Sequence, residues 1–169
     1  MWNVSRRKAY HLKNRDDNIL DKVREIIKNA QKSIYIEIWE EEFKHIQKEI
    51  EEAYEREADV KIVAFGNIKA KCGLLYHHEG AKEIENSLGG RMIFVLGDSE
   101  ESLFGRVESN AIWSKNSLIA LILKEYIVHD MYLLDVGKNF PEQLRYFYGA
   151  GYKRLKDKIL SKDSSYNIH

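Results

Sequence analysis

Apolar positions along the chain change between two spacings, and this change predicts helices that alternate with strands. In residues 18–30 the apolar side chains fall three or four positions apart, which predicts a helix. In residues 33–39 the pattern alternates, so we expect a strand with isoleucines on one face and Tyr35 and Glu37 on the other. A charged helix with an apolar stripe follows, and residues 60–65 predict a short apolar strand.

The second half of the chain continues the alternation. The predicted elements are, in order, a short strand at 74–76, a short helix at 79–88, a strand at 91–96, a hairpin at 103–107 and 111–114, a long helix from Asn116 through 131, and a helical stretch at 141–160 interrupted by Gly149 and Gly151. Strands that alternate with helices predict an α/β fold with a mixed, mostly parallel sheet and helices on both faces.

The length of 169 residues fits one domain. Residues 1–15 carry several basic side chains without periodicity and are interpreted as a basic N-terminal segment or linker. Residues 16–160 hold all the predicted elements and form the domain itself. Residues 161–169 are expected to be a polar tail.

Charge and cysteine content narrow the function classes. Lysine plus arginine and aspartate plus glutamate are both 27, so the formal net charge is zero, which argues against DNA binding by this chain alone. Cys72 is the single cysteine, so an intrachain disulfide is excluded. The longest apolar run has six residues, far short of the roughly 20 that cross a bilayer. We therefore expect a cytoplasmic protein without a membrane partner.

Four segments together carry a resemblance to a known family. They are NILDKVREIIKNAQKSIYIEIWEEEF (18–43), VKIVAFG (60–66), GRMIFVLGDSEESLFGRV (90–107) and NAIWSKNSLIALILKEYIVHD (110–130). In order and spacing they resemble the effector region of the TrmB family of transcriptional regulators, which is similar to one half of the phospholipase D-like fold.

The resemblance implies an effector-sensing domain that forms a homodimer. Family members place a winged-helix DNA-binding domain ahead of this region, and the first 15 residues are too few to hold one. DNA binding is therefore expected only through an upstream domain of the parent protein. The implied ligand is a small-molecule effector, with a sugar as one candidate.

Phospholipase D-type hydrolysis needs the motif His-x-Lys-x4-Asp, in which the histidine attacks phosphorus. In the resembling strand Asp98 remains, but Arg91 stands at the histidine position and Ile93 at the lysine position. We therefore expect no catalytic residues and no enzyme. His11 and Lys13 form a second His-x-Lys, expected to precede the first helix outside the sheet, and this pair keeps a phosphodiesterase or nuclease as an alternative.

Other chemical sites receive little support from the sequence. Cys72, His77 and His78 are a possible metal set, but adjacent histidines point in different directions and no fourth ligand is evident. The glycines form no dinucleotide fingerprint. We expect neither a metal nor a cofactor. His129 and Asp130 are interpreted as features of the C-terminal end of the long helix.

A ligand site is predicted at the carboxyl ends of the strands, where open α/β sheets bind ligands. The residues expected there are Glu37, Trp39, Asn67, Asp98, Trp113, Ser114 and Asn116. The alternative is that the two tryptophans are packing residues and that Asp98 and Asn116 serve as turn and cap residues.

The long helix also predicts a dimer interface, because it is apolar around more than one face. Leu118 and Ile122 on this helix and Phe147 in the final helical stretch are the residues expected at the interface. A two-fold dimer suits a regulator of palindromic operators. A purely structural dimerisation module remains the third alternative.

Overall fold

Within residues 9–13 and 18–160, which the computed structural model describes, the chain forms seven strands and six α-helices. The strands are β1 (Ala9–Lys13), β2 (Ser33–Trp39), β3 (Asp59–Phe65), β4 (Leu74–His78), β5 (Met92–Gly97), β6 (Glu101–Arg106) and β7 (Asn110–Ser114). The helices are α1 (Asn18–Asn29), α2 (Glu40–Glu55), α3 (Ala81–Leu88), α4 (Ser117–Asn139), α5 (Pro141–Tyr148) and α6 (Lys153–Leu160), with a 3₁₀ turn at Ala150–Tyr152.

One mixed sheet joins the strands in the order β1-β7-β6-β5-β2-β3-β4. The α/β class is confirmed, but the sheet is not mostly parallel, since four of its six pairings are antiparallel. The tight turns that connect β5, β6 and β7 reverse the chain direction each time. The parallel pairings between described strands are those of β2 with β3 and of β3 with β4.

The interior strand β2 is buried on both faces, because helices cover the sheet on both sides. Its isoleucines Ile34, Ile36 and Ile38 pack with apolar side chains of α1 and α2. On the opposite face Tyr35 packs with the inner side of α4. Burying each of these side chains stabilises the fold by roughly 1.5–3 kcal/mol. Helices on both faces were predicted, and this part of the prediction is confirmed.

Two predicted boundaries are wrong. Residues 9–13, interpreted as linker, form the edge strand β1, which pairs with β7. A five-residue edge strand has too few apolar positions to reveal itself without its partner. The long helix α4 continues beyond residue 131 to Asn139, so His129 and Asp130 lie inside it and not at its end. Residues 1–8 and the predicted tail at 161–169 lie outside the described residues.

In the part of the chain that is described, no helix has the length and hydrophobicity needed to cross a membrane.

Gly105 permits the close approach of β6 and β7. A Cβ atom at this position would lie 2.4 Å from both the Cα of Ala111 and the carbonyl oxygen of Asn110, and the residue has a φ of +154°. We expect Gly105→Ala to lower the free energy of unfolding by roughly 1–3 kcal/mol, because backbone cannot yield to the added methyl. Urea denaturation measures this loss.

Gly90→Ala is the matched control for that variant. Gly90 also has a positive φ, of +137°, but an added Cβ would meet only the flexible end of Arg106, at 3.6 Å. Equal losses in the two variants would show that conformational strain, and not steric overlap with β7, decides the effect.

Candidate functional site

A carboxylate lies in the middle of the sheet, beneath α4. Glu37 follows Tyr35 on the α4 side of β2, between Val63 of β3 and Phe94 of β5. Its side chain is 1% exposed. Neither of its carboxylate oxygens has a hydrogen-bond partner among the described residues. Buried polar groups normally have partners, so this one marks a site of unusual chemistry.

Three further polar side chains belong to the same site and together with Glu37 are called the Glu37 cluster. Asp130 and Tyr126 extend from α4, and His78 extends from β4. A hydrogen bond of 2.6 Å joins His78 Nε2 to Asp130 Oδ2. The ring of Tyr126 packs against Phe94, with centroids 5.0 Å apart.

The cluster is electrostatically strained. Burial, and after it the charge of Asp130, raises the pKa of Glu37 to about 8. Burial and then the charges of Glu37 and Asp130 raise the pKa of the Tyr126 hydroxyl to about 12. Both effects arise because a low-dielectric site disfavours negative charge, most of all beside another carboxylate. Glu37 is therefore protonated at neutral pH.

The predicted ligand crevice does not exist as one site. Because β5 and β7 run antiparallel to β2, their carboxyl ends lie beside the amino end of β2. Trp39 and Asn67 lie where β2 and β3 end. The four other residues lie at the opposite ends of these strands, where β2 begins: Asp98, Trp113, Ser114 and Asn116.

Aromatic rings fill the space at the carboxyl ends of β2 and β3. Trp39 stacks on Phe65 with centroids 4.5 Å apart, and Phe65 stacks on His78 at 4.7 Å. The indole Nε1–H of Trp39 donates to the carbonyl oxygen of Met92. Asn67 is exposed beside this stack, and its backbone N–H donates to Glu40. Trp39 is thus a packing residue, as the alternative interpretation proposed.

Side chains at the opposite strand ends, where β2 begins, support the fold. The Asp98 carboxylate accepts backbone N–H groups of Gln31, Lys32 and Ser33. Although partial burial opposes it, these bonds hold the pKa of Asp98 below its usual value. Asn116 caps α4 by accepting N–H groups of Leu118 and Ile119.

Trp113 and Ser114, at the same strand ends, also have structural partners. The indole N–H of Trp113 donates to Glu101, and Lys22 lies 4.0 Å from the centroid of its ring. Ser114 is fully buried, and its hydroxyl accepts the backbone N–H of Asn116. No result tests whether any of the seven predicted residues binds a ligand, so that part stays a prediction.

The two phospholipase positions hold side chains with other roles. Ile93 is fully buried in the core on the α1 and α2 side. Arg91 lies just before β5 and contacts three carboxylates. Its Nε donates to Glu42 at 3.0 Å, one terminal nitrogen pairs with Glu108, and the other lies 3.7 Å from Glu85.

The second His-x-Lys lies on a strand, contrary to expectation. His11 is exposed on the edge strand β1, where it pairs with Ile112. The side chains of Lys13 and Asn18 are outside the described residues. Asn18 occupies the position at which the motif requires aspartate.

The possible metal set is not assembled. Cys72 is buried in the apolar core, His77 bonds to the carbonyl oxygen of Gly66, and His78 belongs to the Glu37 cluster. The described residues contain no group of three or more histidine, cysteine, aspartate or glutamate side chains placed to hold a metal ion.

Apolar side chains cover the solvent side of α4 and form what we call the outer stripe. Its members are exposed and comprise Leu118, Leu121, Ile122, Tyr132, Leu133 and Val136. Phe147, in α5, is also exposed. Exposure of these side chains is what a dimer interface requires, and the interface stays a prediction.

A comparison with protein families matches residues 10–133 to the domain described as "Transcriptional regulator TrmB, EBD N-terminal subdomain". This match spans most of the chain. The chain belongs to the TrmB family of transcriptional regulators. The uncharacterized protein YrhO of Bacillus subtilis is 32% identical over 163 residues, which are 94% of this chain and 56% of YrhO. The chain thus spans about half the length of that relative.

Solved structures share the fold at low identity. The archaeal chromatin protein TrmBL2, described as having a novel mode of DNA binding, matches with a TM-score of 0.58 and 15% identity over 78% of this chain and 55% of its own. NucT from Helicobacter pylori has a TM-score of 0.57 and 14% identity, over 72% of this chain and 94% of that protein. Nuc, a phospholipase D family member from Salmonella typhimurium, has a TM-score of 0.56 and 16% identity, over 75% and 95%. The phospholipase D-like fold is confirmed.

Sequence reasoning found Glu37 but missed its partners. It placed Glu37 at an open strand end, whereas the side chain is covered by α4. The signal was a charged residue in a strand whose neighbours on both faces are apolar. A second signal was Asp130, three residues after Ile127 on the inner side of α4.

The raised pKa of Glu37 makes stability depend on pH. The folded protein holds this proton up to about pH 8, whereas the unfolded chain releases it near 4.5. Stability from this group is therefore complete below pH 4.5 and is lost as pH rises to about 8, by an amount on the order of 5 kcal/mol. Glu37→Gln removes this loss, and urea denaturation from pH 5 to 8.5 measures it.

Glu55→Gln, at an exposed position of α2, is the control for that series and should follow wild type at every pH. If Glu37→Gln lost stability with pH as steeply as wild type, the assignment of the proton to Glu37 would be wrong.

Arg91 neutralises the buried Glu42, whose side chain is 5% exposed. We expect Arg91→Met to lower the free energy of unfolding by about 3–5 kcal/mol, because it leaves a buried carboxylate without a cation. Arg91→Met combined with Glu42→Gln should lose at least about 1 kcal/mol less than the sum of the single losses. Arg154→Met, at an exposed position, should change stability by no more than about 0.5 kcal/mol. Additive losses in the double variant would rule out the ion pair as the cause.

Proposed function

We propose that this chain is the effector-sensing and dimerising part of a TrmB-family regulator. In this proposal the parent binds DNA through another domain, and this part transmits the presence of a small molecule to it. The proposal extends the family assignment with one observation. A single helix, α4, contributes Tyr126 and Asp130 to the Glu37 cluster on one flank and presents the outer stripe to solvent.

The observation supports coupling because both functions share one rigid element. A change beneath α4, in ligand or in the charge of Glu37 and Asp130, alters how the helix lies on the sheet. The same movement displaces the outer stripe, through which two subunits would meet. Such coupling requires that the effector bind the two positions of α4 with different affinity.

We further propose that the chain has no phosphodiesterase activity. A catalytic centre of the phospholipase D type requires a histidine nucleophile and a lysine that can reach the phosphate. Arg91 is held by carboxylates that would repel phosphate, and Ile93 faces the core. Hydrolysis of bis(p-nitrophenyl) phosphate that is abolished by His11→Ala would instead support the nuclease alternative.

One observation favours a second candidate function, a purely structural dimerisation module. The strand ends at which a ligand was expected are filled by the stacked rings of Trp39, Phe65 and His78. A domain of this kind would dimerise with the same affinity whatever small molecule is added. Thermal-shift screening of metabolites, followed by measurement of the dimer dissociation constant with each stabilising compound, separates the two functions.

Replacing an outer-stripe residue by a charge tests the interface. Ile122 is 69% exposed, so Ile122→Glu should leave the monomer folded while raising the dimer dissociation constant at least tenfold. Sedimentation velocity over a range of concentrations measures this constant. Ile159→Glu is the matched control, since Ile159 is also 69% exposed but lies on α6. A monomeric wild type, or an Ile122→Glu variant as dimeric as wild type, would contradict the interface.

A further inference from the structure

A groove runs along the side of α4 that faces β3 and β4. Its volume is ≈ 770 Å³, within the range of roughly 300–1,000 Å³ typical of small-molecule sites. Tyr35 lies at its floor and is 8% exposed. None of the residues that line the groove belongs to the stacked rings at the strand ends or to the Glu37 cluster.

Two lysines converge at one end of the groove. Lys61 is the cross-strand neighbour of Tyr35, and Lys124 extends from α4 above the same ring. Their ammonium nitrogens lie 4.9 Å and 5.3 Å from the Tyr35 ring centroid. Two cations brought to one ring from separate elements create a positive potential at this point.

Neither lysine is strongly neutralised by the protein. Among the ion pairs between described residues, none includes Lys124. Lys61 pairs with Asp59, whose side chain is 62% exposed, so this pair is screened by solvent and is exchangeable. An anion that enters the groove would therefore find both ammonium groups available.

The acidic groups of the groove lie away from the two lysines or are already engaged. Asp135 accepts the hydroxyl of Tyr76 at 3.0 Å and the side-chain amide of Asn139 at 3.1 Å. Eleven residues of helix separate it from Lys124, which places it about 16 Å further along the axis. Glu125, at the rim, is 57% exposed and lies 3.8 Å from His129.

Apolar and aromatic side chains form the walls between these two ends. They are Leu74, Tyr76, Val128, Met131, Tyr132 and Val136. Walls of this kind bury a hydrocarbon or aromatic body, and a bare inorganic ion would leave them unused. Two lysines at one ring also do not form the basic stripe that a nucleic-acid backbone needs.

We propose that this groove binds a small organic anion, whose carboxylate or phosphate lies between Lys61 and Lys124 above Tyr35 and whose apolar body lies along α4. The inference rests on the proposed function, because it names the class of effector and the place where it binds. Tyr132 and Val136 belong to both the groove and the outer stripe. A ligand in the groove thus touches the surface through which subunits would pair.

The test uses three probes that share a naphthalene body: 2-naphthoate, 2-naphthyl phosphate and the neutral 2-naphthalenemethanol. Binding is followed by two-dimensional amide NMR, which gives both the dissociation constant and the location. We expect at least one anion to bind saturably with the largest shifts at Tyr35, Lys61 and Lys124. The neutral alcohol should bind at least tenfold more weakly. The preferred anion identifies the head group.

Variants establish the role of the lysines. Lys61→Met with Lys124→Met should weaken anion binding at least tenfold. Lys48→Met with Lys156→Met removes the same net charge at exposed positions elsewhere and should change binding less than twofold. If the first double variant does not fold, Lys124→Met alone, on the surface of α4, should weaken binding at least threefold.

Several outcomes would overturn the inference. They are no saturable binding of either anion, equal binding of the alcohol, shifts centred on Leu118 and Ile122 outside the groove, and equal losses in the two double variants. Sedimentation with 2-naphthoate separates this inference from the proposed function. If 2-naphthoate binds in the groove but the dimer dissociation constant is unchanged, the anion site stands and the proposed coupling to dimerisation is wrong. If the dimer dissociation constant changes but no amide chemical shift changes in the groove, the coupling stands and the anion site is wrong.

Discussion

The burial of β2 on both faces is the constraint from which the other features of this structure follow. The strand lies inside a seven-stranded sheet, between β5 and β3, with α1 and α2 packed on one face and α4 on the other. An apolar strand satisfies such a position without cost. This strand carries Glu37 on the α4 face, so a carboxylate must stay in a site without solvent. Its raised pKa, the proximity of Asp130 and the aromatic surroundings all result from that placement.

The fold is similar to that of a phospholipase D family member, and the positions compared with the phospholipase motif have structural contacts in this chain. Asp98 ties the loop before β2 to the end of β5 through three backbone N–H groups. Ile93 packs in the core, and Arg91 compensates a buried glutamate. A shared fold therefore does not by itself fix the chemistry, because a fold supplies positions and the side chains at those positions supply the chemistry.

Helix α4 has different surroundings on three sides. Its inner side packs Leu123, Ile127 and Met131 against the sheet. One flank lies over the Glu37 cluster, and the other flank lines the groove. Its solvent side remains apolar. A helix in this arrangement has no purely polar face, which explains why its sequence is apolar around most of its circumference. It is also why one small displacement would reach every candidate site at once.

The sequence by itself determined the order of the elements from α1 onward, the helices on both faces, the cap at Asn116 and the replacement of the phospholipase motif. These follow from local spacing and residue type, which act within a few positions of the chain. Only the tertiary structure decided the strand directions, and with them which predicted site residues lie together. Because of the antiparallel pairing, the strand ends that carry Trp39 and Asn67 lie opposite those that carry four other predicted residues: Asp98, Trp113, Ser114 and Asn116.

The edge strand β1 and the partners of Glu37 also required the tertiary structure. Asp130 lies 93 positions from Glu37, and Lys124 lies 63 positions from Lys61. Such pairs come together through the packing of α4 across the sheet, and local spacing carries no record of that contact. The sequence contained the charged residues, and long-range packing decided which of them became neighbours.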